Sequence, residues 1–83
     1  MNNEQLFKIG DIVTIKWYTG RESIVQITET PDTTVECYPY YEYKTIQGTE
    51  RGSSQFHCNC KMLCDGNIKK LPEIKAVLYR SKI

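Results

Sequence analysis

Apolar and polar positions alternate with period two in two stretches near the start of the chain. In Ile12-Val13-Thr14-Ile15-Lys16-Trp17, the side chains of Val13, Ile15 and Trp17 share one face. In Ser23-Ile24-Val25-Gln26-Ile27-Thr28, Val25 and Ile27 point together while Gln26 and Thr28 point away. The β-branched content favours strands, and Tyr18-Thr19-Gly20-Arg21 between them reads as the turn of a hairpin. Thr30-Pro31-Asp32-Thr33 supplies a second turn, after which Thr34 to Ile46 is the longest strand candidate. Pro39 interrupts it. Because proline has no N–H to give to a ladder, this strand is expected at a sheet edge or bulged near Pro39. Gln47 to Ser54 reads as a loop. Gln55 to Cys60 alternates Phe56, Cys58 and Cys60 with His57 and Asn59, which predicts a fourth strand with one buried face. Asp65-Gly66-Asn67 is a tight-turn signal, and Ile68 to Leu71 a short fifth strand. Beyond Pro72 the period lengthens. Leu71, Ile74, Val77 and Leu78 recur at helical spacing, Glu73 suits the first turn and Arg80 and Lys82 the last, so a helix is predicted over about 72–80. A strand over Lys75 to Tyr79 is the competing reading of that segment.

These elements predict a mainly β fold, a small five-stranded antiparallel barrel, partly open, over about 6–71 with a short C-terminal helix. With 83 residues and no repeat or linker, one domain over 1–83 is expected. The run Phe7-Lys8-Ile9-Gly10-Asp11-Ile12-Val13-Thr14-Ile15 resembles the opening of many SH3-like barrels, in which an F-x-x-G-D-x-V-x-I stretch forms the first strand and the turn before it. The chain is also similar to short SH3-like proteins of gut bacteria and their phages. The resemblance implies an SH3-like barrel and leaves open whether a phage or mobile element encodes the chain, and it implies no single function, because small barrels host many. Peptide-binding SH3 domains carry an "A-L-Y-D-Y" tract that this sequence lacks, so recognition of proline-rich ligands is not implied.

Charge narrows the partners. The net charge is +1, with −3 in residues 1–60 (five Lys/Arg, eight Asp/Glu) and +4 in residues 61–83 (six Lys/Arg, two Asp/Glu). A balance so near neutral does not suit a general DNA binder, which needs a clustered basic face. No apolar run approaches the length that spans a bilayer, and the first residues show neither a basic nor an apolar secretory region, so a cytoplasmic protein without membrane association is expected. In that compartment, thiols or a metal site are more natural than structural disulfides. A chain this short builds one core, and a metal, a disulfide, self-association or a closely idealised barrel would supplement it.

Three groups of residues bear on chemistry. His57, Cys58, Cys60 and Cys64, with Cys37 elsewhere, hold enough sulfur and nitrogen for tetrahedral zinc, but Cys58-x-Cys60 inside an alternating strand is unlike a zinc knuckle. Buried thiols are the favoured reading, with zinc or a disulfide involving Cys37 as alternatives. His57, next to Cys58 on a strand, faces the other side and is badly placed to activate it, so no catalytic residue is assigned. Second, Tyr38, Tyr40, Tyr41 and Tyr43 cluster around Pro39, offering flat apolar area with hydroxyl handles, though alternation sends about half of them into the core. Third, the loop Gly48-Thr49-Glu50-Arg51-Gly52-Ser53-Ser54 combines backbone amides, hydroxyls and Arg51, a composition that fits phosphate capture or a plain solvated loop. The expectation is a non-enzymatic interaction module without cofactor or metal, binding a protein partner or a second copy of itself through a Tyr-rich barrel edge: Tyr38, Tyr40, Tyr41 and Tyr43. The alternative is capture of a nucleotide or other phosphorylated small molecule without turnover, by tyrosine stacking with Arg51.

Overall fold

The computed structural model describes residues 7–31, 39–48 and 53–81. Five strands run as β1 (Ile12–Lys16), β2 (Glu22–Glu29), β3 (Tyr40–Gln47), β4 (Ser53–His57) and β5 (Ile68–Lys70). A single helical turn, α1 (Lys61–Cys64), joins β4 to β5, and α2 (Glu73–Arg80) ends the described chain. All strand pairs are antiparallel and form one sheet in the order β4-β3-β2-β1-β5. The fold is therefore mainly β with a short C-terminal helix. The sheet is not closed: β4 and β5 are its edges, and no ladder joins them among the described residues.

The opening Phe-x-x-Gly-Asp stretch has a local physical cause. Gly10 takes φ +96°, a left-handed conformation that glycine adopts without a Cβ penalty. The turn is closed twice, by the Asp11 N–H donating to the Lys8 carbonyl at 3.0 Å and by the Lys8 N–H donating to Asp11 Oδ2 at 2.9 Å. It is then sewn to β2, since the Gly10 N–H reaches the Ile27 carbonyl at 2.8 Å and the Ile27 N–H reaches the Asp11 carbonyl at 2.9 Å. This fixes Phe7 in the core, edge-on to Tyr41 with ring centroids 5.3 Å apart.

Strand alternation builds two apolar layers. Val13, Ile15, Val25, Ile27, Tyr41, Tyr43 and Ile68, with Phe7, make the inner core, and Trp17, Phe56, Cys58, Cys60, Met62 and Leu63 pack against it. The opposite face buries Ile12 and Ile24 under Ala76 of α2, with Ile46, Leu71 and Tyr79 around them. Two register shifts between β2 and β3, at Ile24/Val25 and Ile27/Glu29, leave Ile46 and Thr28 as extra residues in their strands.

Two sequence expectations are corrected. The strand that begins after Pro39 lies inside the sheet, between β2 and β4, and is no edge: Pro39 precedes the first strand residue, so its missing N–H costs the ladder nothing, and its carbonyl accepts from the Cys58 N–H at 2.8 Å. The predicted strand Gln55 to Cys60 ends at His57, because the chain turns at Cys58-Asn59 to enter α1, although Phe56, Cys58 and Cys60 do pack toward the same core. The expected C-terminal helix forms over Glu73–Arg80. Small Ala76 makes the close approach to β1, while Ile74, Val77 and Leu78 are 82%, 53% and 62% exposed.

Gly48 provides a test of the packing. Its φ is +141°, and a Cβ there would lie 2.6 Å from Ser23 Oγ and 2.9 Å from Ser23 Cα. Ser23 is buried and cannot give way. Gly48→Ala is expected to cost on the order of 1–3 kcal/mol of stability through left-handed strain and overpacking, read as a lower urea midpoint with unchanged slope. An unchanged midpoint would refute this packing.

Candidate functional site

Because the sheet stays open, its inner face is roofed by side chains where hydrogen bonds between β4 and β5 would otherwise close it. A cavity of about 450 Å³ lies at this seam. Ile15, Tyr43, Phe56 and Ile68 face it from four strands. Trp17 and the α1 residue Met62 form walls, and His57, Lys61, Ser54 and Gln55 stand at its polar margin. The lining is apolar inside and polar at the rim, the arrangement that suits small-molecule and side-chain uptake.

Each wall is held by an identifiable contact. Trp17 donates its indole N–H to Ser23 Oγ at 3.1 Å, so the buried serine sets the orientation of the ring. The turn after α1 is stitched to the sheet, as the Asn67 N–H donates to the Met62 carbonyl at 2.9 Å and the Lys16 N–H to the Asn67 carbonyl at 2.8 Å. A polar clasp joins α1 to the β1–β2 turn: the Tyr18 hydroxyl donates to Asp65 Oδ2 at 2.7 Å, and Lys61 Nζ lies 3.1 Å from the same oxygen. His57 sets the entry to α1, its Nδ1 accepting from the Asn59 N–H at 3.0 Å while the ring meets Tyr40 edge-on at 5.3 Å.

The clasp shifts its own titrations. Hydrogen bonds from Tyr18 and Lys61 hold the Asp65 carboxyl below the ordinary carboxylate range. The same bonds to Asp65 raise both the Tyr18 phenol and the Lys61 ammonium above their ordinary values. All three groups are solvent-exposed, so the contribution is screened and small.

The expected site residues divide. Tyr41 and Tyr43 are core residues, 2% and 5% exposed, because both lie on the inward face of β3; they are thereby withdrawn from the expected tyrosine strip, and only Tyr43 reaches the groove. Tyr40, on the other face, is half-buried beside His57. Tyr38 and Arg51 lie outside the described residues, as do Cys37 and positions 49–52 of the expected phosphate loop. Cys58, Cys60 and Cys64 are free thiols, the first two half-buried and the third exposed. Among the described residues, no group of three or more His, Cys, Asp or Glu side chains is placed to hold a metal, and no helix is long and apolar enough to cross a membrane. Sequence reasoning missed Met62 and Lys61 because a single helical turn has too few residues to show a period; Lys61 and Asp65, four apart, are its one local signal.

The clasp predicts a pH response with a definite sign. A depressed carboxyl pKa adds stability above the unfolded value and loses it as pH falls through the folded value; the raised phenol and ammonium add stability below their unfolded values and lose it as pH rises. Anchorage of α1 should therefore be greatest between those limits. By NMR, the Tyr18 phenol should titrate at higher pH in the wild type than in Asp65→Asn, and the Asn67 amide should exchange faster in that variant. Identical Tyr18 titrations would show that the clasp does not form.

No protein-family model, no curated protein and no solved structure matches this chain, so the site's own chemistry carries the functional argument.

Proposed function

We propose that the chain is a non-enzymatic interaction module, an SH3-like barrel left open at one seam, that takes up an extended segment of a protein partner along β4 and places its apolar side chains in the adjacent groove. The observation that carries this reading is the coincidence of an apolar groove with an unguarded edge strand. The segment Ser53-Ser54-Gln55-Phe56-His57 contains no proline, lysine or acid, the residues that usually deter strand addition, and among the described residues it has β3 on one side only. Main-chain pairing on such an edge supplies affinity, and a pocket beside it selects alternate side chains. Lys61, exposed at the rim and paired with Asp65, can exchange that partner for an acidic residue of the bound segment. The tyrosines contribute through Tyr43 at the groove and Tyr40 beside His57 rather than as a continuous edge strip. The three free thiols also fit residence in the reducing cytoplasm.

A panel of short synthetic peptides, with Leu, Met, Phe or Tyr at every second position and an acidic end, tests this by NMR titration. Chemical-shift changes are expected to gather on Ser53–His57, the Trp17 indole and the Met62 methyl. Ser54→Lys and Met62→Glu should each weaken binding about tenfold or more, which is about 1.4 kcal/mol, while a matched thermal midpoint shows the fold intact. Shifts confined to another surface, or produced only by a nucleotide, would overturn the proposal, as would a panel without a binder.

A further inference from the structure

The helix α2 carries more exposed apolar surface than its packing on the sheet explains. Ile74, Val77 and Leu78 stand at helical spacing i, i+3, i+4 and so form one continuous stripe, 82%, 53% and 62% exposed. Large apolar side chains gathered in this way, rather than scattered, mark an interaction surface. The stripe is framed by opposite charges: Glu73 at the start of the helix and Arg80 at its end, which pair with each other along the helix.

That framing selects the occupant. We infer that the stripe is covered by α2 of a second copy of this chain, packed antiparallel about a two-fold axis. Glu73 and Arg80 lie equally far from the point midway between Ala76 and Val77, so a two-fold axis there sets Glu73 of one copy against Arg80 of the other, twice. The same pairing lays the two Ile74–Leu78 stripes against each other. A parallel arrangement would instead oppose like charges at both ends. Three side chains per copy are far fewer than the roughly 20–30 residues a side of a standard interface, so the association is weak and depends on concentration.

The dimer does not rest on the groove reading, because the two surfaces are on opposite sides of the sheet. The helix covers the Ile12 and Ile24 face, and the groove opens on the Ile15 and Tyr43 face. Pairing through α2 therefore leaves both grooves accessible, and gives a two-fold module the avidity of two weak sites on one partner.

Sedimentation velocity of the full chain over a wide concentration range is the test. The wild type should pass from monomer to dimer, and Leu78→Lys should stay monomeric with an unchanged thermal midpoint. Glu73→Arg and Arg80→Glu should each be monomeric alone, because each opposes like charges, and an equimolar mixture should recover the dimer. A wild type that is monomeric throughout, a dimer indifferent to Leu78→Lys, or a monomer that instead floats with vesicles of phosphatidylserine would each overturn the proposal. None of these outcomes depends on whether any peptide enters the groove.

Discussion

The two edges of the sheet do not meet, and this one constraint organises the rest of the molecule. A five-stranded sheet that curled fully would pair β4 with β5 and remove both edges; here the connection between those strands is a single helical turn in place of a ladder. The inner core must then be sealed by side chains. Phe56 of β4 stacks on Tyr41 at 5.2 Å and lies 6.3 Å from Phe7, while Met62 and Leu63 pack against the same core from α1. Side chains seal less completely than hydrogen-bonded backbone, and the residue of that incompleteness is the groove. The clasp of Tyr18, Asp65 and Lys61 matters because it fixes the wall that substitutes for strand pairing.

Burial on both faces explains how so short a chain supports an open sheet. The central strands carry apolar residues at consecutive positions, Ile12 and Val13 in β1, Ile24 and Val25 in β2, each side chain going to a different layer. The outer layer needs a cover, and α2 provides it through Ala76, whose small side chain lets the helix approach the sheet closely. The cost is that larger residues of the helix are turned outward. An element that is necessary to the fold thus also presents the stripe assigned to a second copy.

Most of the strand positions were legible in the sequence because period-two alternation registers one buried face and turn residues mark the ends. The hairpin of β1 and β2 and the short β5 follow from it, and the terminal helix from the change to helical spacing beyond Pro72. What was not legible depended on three-dimensional context. Pro39 signalled an edge or a bulge, yet it lies one residue before β3, where a missing N–H is harmless. Cys58 and Cys60 kept the alternation of a strand, but the chain had already turned, since a turn and a strand can send nearby side chains toward the same core. The helical spacing of Ile74, Val77 and Leu78 identified the element but not its packed side, which is set by how closely α2 approaches β1, a quantity absent from any local pattern. The groove was least visible, as its walls come from Trp17 and Met62, far apart in sequence, and its existence from a pairing that does not occur.

The open seam itself is most directly tested by site-resolved amide hydrogen exchange of the free protein. An edge strand has one partner, so amides along Ser53–His57 that point to β3 should be protected while their neighbours exchange at nearly unprotected rates, with the same alternation on Ile68–Lys70 relative to β1. Uniform protection of consecutive amides on both strands would mean that the sheet closes there, and would contradict the account of the groove at its root.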